Sequence, residues 1–186
     1  NYYDHPSSKI KVIGITGTNG KTTTATLLFK LFLATGIKTG LISTVANYIN
    51  EHSFIANYTT PDALTFNRLL FEMLEQNCEY CFAEISSHAL IQKRIEGIEF
   101  FGGIFTNITH DHLDYHKSFS EYLKAKKLFF DRLGKHAFAL INTDDKNAKV
   151  MVQKSKAKVF SYALKSFADY KSKIIESHID SMLLNI

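Results

Sequence analysis

Gly14-Ile15-Thr16-Gly17-Thr18-Asn19-Gly20-Lys21-Thr22-Thr23-Thr24 follows a short apolar run, Ile10 to Ile15, and opens a helical pattern. A glycine-rich turn between strand and helix points backbone N–H groups at an anion. Lys21 adds a point charge for phosphate oxygens, and the Thr22 hydroxyl suits Mg²⁺. The stretch therefore predicts a nucleoside triphosphate site. The usual spacing is G-x-x-x-x-G-K-[ST], and Ile15 stands at its first glycine. The loop is thus a variant, G-T-N-G-K-T, which narrows the families it fits.

Outward from this loop, strand and helix signals alternate, which predicts an α/β fold: a mostly parallel central sheet flanked by helices. Strands are expected at Lys11–Ile15, Lys38–Ser43, Tyr80–Ile85, Gly103–Thr106, Ala137–Asn142 and Lys158–Tyr162. Helices are expected from Thr22 to Thr35, from Thr60 as N-cap with Pro61 at the first helical position, after Ser86, from Ser118 as cap through Leu133, and near Asp145–Lys154. Val45–Tyr58 reads as a hairpin or an excursion over the active face, and Ser172–Ile186 as two further strands. Ligands in such sheets bind at the carboxyl ends of the strands. Thr16, Thr44, Glu84, Ser86, Thr106, Asn107 and Asn142 all fall at or just past those ends and should share one edge.

The 186 residues suffice for one good core, with 45% hydrophobic and 22% charged residues. No apolar run approaches a membrane span. The net charge of +4 comes without a basic stripe, so nucleic acid is not an expected partner. Cys78 and Cys81 are the two cysteines. Without a second C-x-x-C pair they read as buried structural thiols rather than half a zinc site, in a reducing, cytoplasmic compartment. The first residues carry neither an initiator Met nor a signal-peptide pattern, and the last end on an apolar run, so the chain is expected to be a piece of a longer protein.

Three further features carry chemistry. Glu84 ends an apolar strand, where a carboxylate is costly unless it meets a cation or hydrogen-bond donors. Mg²⁺ opposite the phosphate loop is one partner, and solvent is the alternative. The run His110-Asp111-His112-Leu113-Asp114-Tyr115-His116 is rich in ligating side chains. It suits zinc when taken alone, Mg²⁺ or Mn²⁺ beside a nucleotide, or an ordinary polar loop. Lys126 lies at the centre of the apolar stripe Phe119, Tyr122, Leu123, Phe129, Phe130 and Leu133. It either snorkels, loses its charge, or reacts with CO₂ to form a carbamate that ligates metal. Periodicity leaves these open.

Taken together, the motifs resemble the central domain of the Mur ligases. The matching runs are Gly14–Thr24, Thr59-Thr60-Pro61-Asp62, Glu84 to Leu90 with Arg94, Phe105-Thr106-Asn107 leading to the Asp111–His116 run, Tyr122 to Lys126, and Ile141 to Asp145. The resemblance implies an ATP-dependent amide-bond ligase of peptidoglycan synthesis. It would add a third amino acid, diaminopimelate or lysine, to UDP-N-acetylmuramoyl-L-alanyl-D-glutamate through an acyl phosphate. ATP would lie on Gly17, Thr18, Asn19, Gly20, Lys21, Thr22 and Thr23, with Asn142 and Asp145 near the adenine. Thr22 and Glu84 would hold one Mg²⁺, and His112 with a carbamylated Lys126 a second. Thr59, Thr60, Ser86, Gln92 and Arg94 would contact the muramoyl dipeptide. Residues 1–186 would be the middle domain of a monomer whose uridine-nucleotide and amino-acid domains lie outside them. Departures from the family pattern are His110, where Arg is common, and Lys117, where Gly is common. The alternatives are a folylpolyglutamate synthetase-like ligase and a nucleotide-binding switch without ligase activity. The first has a different loop tendency, and the GTPase form of the second lacks an N-K-x-D run.

Overall fold

The computed structural model describes residues 2–109, 118–177 and 182–185. After a short turn of 3₁₀ helix at Pro6–Ser8, the elements are β1 (Lys11–Thr16), α1 (Lys21–Ala34), β2 (Thr39–Ile42), β3 (Ala46–Ile49), β4 (His52–Ile55), α2 (Ala63–Glu75), β5 (Tyr80–Glu84) and α3 (Ser87–Ile91). They continue with β6 (Gly102–Phe105), α4 (Phe119–Asp131), β7 (Phe138–Asn142), α5 (Ala148–Met151), β8 (Lys158–Ala163), β9 (Tyr170–Lys171), β10 (Lys173–Ser177) and β11 (Met182–Asn185). The main sheet has the order β4-β3-β2-β5-β1-β6-β7-β8-β9. From β2 to β9 all neighbours are parallel, and β3 and β4 extend one edge as an antiparallel hairpin. β10 and β11 form a separate antiparallel pair. No described helix is long and apolar enough to cross a membrane.

Parallel strands buried on both faces need apolar residues on both, and β1 supplies them. Ile13 and Ile15 face α1, where they pack with Ala25 and Phe29. Val12 faces the opposite layer, which α2, α3, α4 and α5 build. On that second face β1 and β6 carry glycines in register, Gly14 opposite Gly103. A Cβ at either would collide with the Phe129 ring of α4, lying 2.5 Å from it at Gly14 and 2.7 Å from it at Gly103. The paired glycines therefore form a notch in the sheet, and Phe129, fully buried, fills it. This close approach sets the height and rotation of α4.

The helix starts follow local chemistry. Ser118 caps α4, its hydroxyl accepting from Glu121 N at 3.2 Å. Ser86 caps α3 in the same way through Ala89 N. The second helix differs from the sequence reading. Its cap is Asp62, not Thr60, because the Asp62 carboxylate accepts from Leu64 N and Thr65 N. The Thr60 hydroxyl is turned inward, donating to Glu84 O at 2.7 Å. The fifth helix is also shorter than expected, Ala148–Met151, with no side-chain cap hydrogen bond at Asn147. Cys78 and Cys81 are buried thiols, and burial pushes Cys81 far above the usual thiol range. Among the described residues no cluster of His, Cys, Asp or Glu of metal-site size occurs.

The notch yields a stability prediction. Gly103→Ala should destabilise the fold by about 1–3 kcal/mol in urea unfolding, as overpacking does. Adding Phe129→Leu should recover part of that loss; a double variant that is the sum of its parts would mean the two positions do not share a contact.

Candidate active site at the carboxyl edge of the sheet

The loop between β1 and α1 is held from three sides. Gly17 leaves no room for a side chain: a Cβ there would sit 1.9 Å from Thr106 Oγ1. Gly20 turns the chain into α1 at φ 81°, a left-handed conformation that favours glycine. From the end of β6, Asn107 brackets Asn19: Asn19 N donates to Asn107 Oδ1 at 3.0 Å, and Asn107 Nδ2 donates back to Asn19 O at 3.0 Å. Thr106 Oγ1 donates to Asn19 O at 2.7 Å. Thr18 N donates to Asn107 O at 2.8 Å. The loop is therefore a preformed cradle opening α1, whose Gly20 N-cap brings no side chain to its first turn.

α4 completes the loop from the second layer. Lys126 is 1% exposed, and its Nζ donates to Gly17 O at 2.7 Å. The ammonium also lies 4.6 Å from the centre of the Tyr122 ring. The Tyr122 hydroxyl in turn shares a 3.1 Å hydrogen bond with Thr18 Oγ1, which accepts from Thr109 N at 3.0 Å. Lys126 thus reaches the phosphate loop rather than solvent. Lys21 Nζ also lies over the loop carbonyls, 3.0 Å from Gly17 O and 2.8 Å from Thr18 O.

Glu84 is fully buried at the end of β5, beside β1. Donors surround its carboxylate. Thr22 Oγ1 donates to Oε2 at 2.9 Å, Thr44 N to Oε1 at 2.8 Å, and Thr44 Oγ1 lies 3.2 Å from Oε2. The hard oxygens of Thr22 and Glu84 at the phosphate loop suit Mg²⁺ by type and position.

Beyond Glu84 the edge opens into a cavity of about 390 Å³. Lys21, Thr22 and Lys126 line its phosphate-loop side, and Thr59, Thr60, Ser86 and Arg94 its far side. Thr60 links them, donating to Glu84 O while accepting from Ser86 N at 3.0 Å. Arg94 Nη1 donates to Thr60 O at 2.9 Å, and its guanidinium lies 5.0 Å from the Tyr58 ring centre. Thr44 Oγ1 also meets Thr59 Oγ1 at 3.0 Å. Lys21, Arg94 and Lys126 against the single carboxylate of Glu84 make the lining cationic, fit for anionic ligands.

The structure thus brings Gly17–Thr22, Thr59, Thr60, Glu84, Ser86, Arg94 and Lys126 to one edge. Thr23 is exposed in the first turn of α1. Gln92 is exposed at the end of α3 and is not part of the cavity lining. Asn142 and Asp145 lie at the end of β7 and brace the neighbouring strand end. Asn142 Nδ2 donates to Thr106 O at 2.8 Å, and Asp145 Oδ2 accepts from Ile108 N at 2.7 Å. His112, with the rest of the His110–His116 run, lies outside the described residues. Thr44 lies on the shared edge as its strand-end position predicts, and the structure adds its bonds to Glu84 and brings in Tyr58 and Tyr122. Tyr122 carried a usable signal, lying one turn before Lys126 on the same stripe.

Comparison with known proteins agrees with this geometry. Residues 15–186 match the Mur ligase middle domain family. The chain is 55% identical over 186 residues to the UDP-N-acetylmuramoyl-L-alanyl-D-glutamate--2,6-diaminopimelate ligase of Cytophaga hutchinsonii, all of this chain and 38% of that protein. It is 57% identical over 185 residues to the ligase of the same name from Phocaeicola vulgatus, again 38% of its length. The chain therefore spans well under half of these relatives. A solved structure of such a diaminopimelate ligase superposes with a TM-score of 0.85 at 29% identity, over 95% of this chain and 37% of that one. A Mycobacterium tuberculosis folylpolyglutamate synthase superposes with a TM-score of 0.75 at 14% identity, over 98% and 48%, which shows a shared fold.

Asp144, beside Asn142, gives a pH prediction. Backbone N–H groups of Leu164 and Ser166 lower its pKa from 3.8 to about 2. A depressed carboxylate stabilises the fold above its unfolded pKa and loses that contribution as pH falls through the folded value. Stability should therefore drop between about pH 4 and 2 through this group. Asp144→Asn should flatten that part of a denaturation-midpoint profile; an unchanged acid limb would show that the bonds to residues 164–166 add nothing.

Proposed function

The chain belongs to the Mur ligase family as a Mur ligase middle domain, and on that premise we propose that it forms the ATP and Mg²⁺ site of a peptidoglycan ligase. The complete enzyme joins diaminopimelate to UDP-N-acetylmuramoyl-L-alanyl-D-glutamate. Support for the amino acid comes from relatives at 54–57% identity that carry this name. The observation that carries the ligase reading is the single cationic cavity. It joins the phosphate loop, through Glu84, to the Thr60–Arg94 pair.

The reaction has to bring a carboxylate against a triphosphate, two anions that repel. Positioning and charge neutralisation therefore do most of the work. Lys21 turns from the loop carbonyls to the β- and γ-phosphates. Arg94, held by Thr60 O and Tyr58, faces the terminal carboxylate of the muramoyl dipeptide. That terminal carboxylate attacks the γ-phosphorus, ADP leaves, and an acyl phosphate forms. The amine of the incoming amino acid then displaces phosphate and forms the amide. Thr22 and Glu84 would hold Mg²⁺, which supplies charge neutralisation at the phosphate oxygens.

The second metal is assigned to His112 and a carbamylated Lys126. Neutral Lys126 Nζ attacks CO₂ and releases one proton, leaving an N–H and a carboxylate. The retained N–H can keep the bond to Gly17 O, and the new carboxylate is a hard ligand of the right type for Mg²⁺. Gln92 belongs to the substrate-facing set by resemblance, and Asn142 and Asp145 to the wall near the adenine. A monomeric protein with no nucleic-acid or membrane partner completes the reading.

Phosphate release from the complete protein tests this directly. With UDP-muramoyl dipeptide, ATP and Mg²⁺, diaminopimelate should support turnover at least tenfold better than lysine; preference for lysine would reverse the amino-acid assignment. Lys21→Ala should cut release by 100-fold or more, about 3 kcal/mol of transition-state stabilisation. For the carbamate, ¹³C-bicarbonate should give a carbamate resonance that Lys126→Ala removes. Full turnover of Lys126→Ala in bicarbonate-free buffer would exclude that role.

A further inference from the structure

We propose that Phe167 is the platform on which the adenine ring of ATP stacks, an inference that rests on the ATP reading above. The phosphate end of the nucleotide is fixed by the loop between β1 and α1. On one side of β1, toward β5 and β2, the edge is taken by Glu84, Thr44, Thr59 and Arg94, where the second substrate enters. The nucleoside therefore extends the other way, over the ends of β6, β7 and β8. At about 4.8 Å per strand, the end of β8 lies about 14 Å from that of β1, a span suited to a nucleotide running from phosphates to base.

The chain that leaves β8 presents Phe167 there, with its side chain 94% exposed. A lone exposed apolar side chain is ordinary. Phe167 differs in that its loop is pinned from the strand end below. The Asp144 carboxylate accepts from Leu164 N at 2.7 Å and Ser166 N at 2.7 Å. Thr143 Oγ1 donates to Phe167 O at 3.1 Å. On the far side Asp169 Oδ2 accepts from Ser161 N at 2.8 Å. An exposed aromatic ring on an anchored backbone loses little further freedom on stacking.

The polar side chains of this wall are engaged elsewhere. Asn142 Oδ1 accepts from Asp144 N at 3.0 Å while its Nδ2 holds Thr106 O, and Asp145 holds Ile108 N and Asn147 N. These bonds run in a connected series from Asn19 in the phosphate loop, through Thr106 and Asn142, to Thr143 and Phe167. Asn142 and Asp145 thereby fix where the platform stands relative to the phosphates, and Phe167 offers the π face.

This chain has no tryptophan, so Phe167→Trp places one fluorophore at the proposed contact. Titration with ATP and Mg²⁺ should quench or shift its emission, and inorganic tripolyphosphate with Mg²⁺ should not. Phe167→Ala should raise the Kd for ATP about tenfold, as loss of a base–aromatic stack does. Its Kd for tripolyphosphate should stay unchanged, a readout that general damage to the loop would move. Unaltered Trp emission at saturating ATP, wild-type ATP affinity in Phe167→Ala, or parallel loss of both ligands overturns the platform. A wild-type chain that binds neither ligand overturns the nucleotide reading, and the platform with it.

Discussion

The contact between the Phe129 ring and the facing glycines Gly14 and Gly103 organises this molecule. It lets the Phe129 ring of α4 seat directly on the backbone of β1 and β6. On that helix Tyr122, Lys126 and Phe129 follow at intervals of four and three residues, and so share one face. Once Phe129 is seated, the other two are delivered to the phosphate loop: Lys126 to Gly17 O and Tyr122 to Thr18 Oγ1. Packing and site are therefore one constraint. The buried Lys126 nitrogen meets the Gly17 carbonyl and lies over the Tyr122 ring, so it is not left facing apolar side chains alone.

Glu84 is the complementary case of a buried charge. It receives Thr22 from the phosphate loop and Thr44 from the end of β2. Its own carbonyl receives Thr60. The residue thus stands where the phosphate-loop side and the Thr60–Arg94 side of the cavity meet, and a change at either side is felt at one carboxylate. The hydroxyl and N–H donors around it let this strand-end acid lie fully buried beside Lys21, Arg94 and Lys126.

Much of this was legible in the sequence because it follows from local chemistry. The loop Gly17–Thr22, the strand ends and the stripe around Lys126 all rest on short-range patterns. Every expected strand of the parallel core is present, with shifts of a residue or two at the ends. What was not legible depends on competition between neighbours. Thr60 and Asp62 both suit a helix cap. The outcome was set by Glu84 O, which lies far off in sequence and takes the Thr60 hydroxyl, leaving Asp62 to cap α2. Asp145 likewise resembles a cap and instead holds Ile108 N across two strand ends. The brevity of α5 and the small strand β9 had no strong periodic signal. The meeting of Thr44 with Glu84 depends on β2 lying beside β5, a matter of strand order that no local pattern encodes.

On the function proposed above, the loop and Glu84 would together hold a Mg²⁺-bound triphosphate. Calorimetric titration of ATP, with and without Mg²⁺, into the wild-type chain and Glu84→Gln measures this most directly. Binding should require Mg²⁺ in the wild type and weaken at least tenfold in Glu84→Gln, with the unfolding midpoint of the ligand-free variant little changed. Equal ATP affinity in both proteins, indifferent to Mg²⁺, would mean that Glu84 holds no metal for the triphosphate.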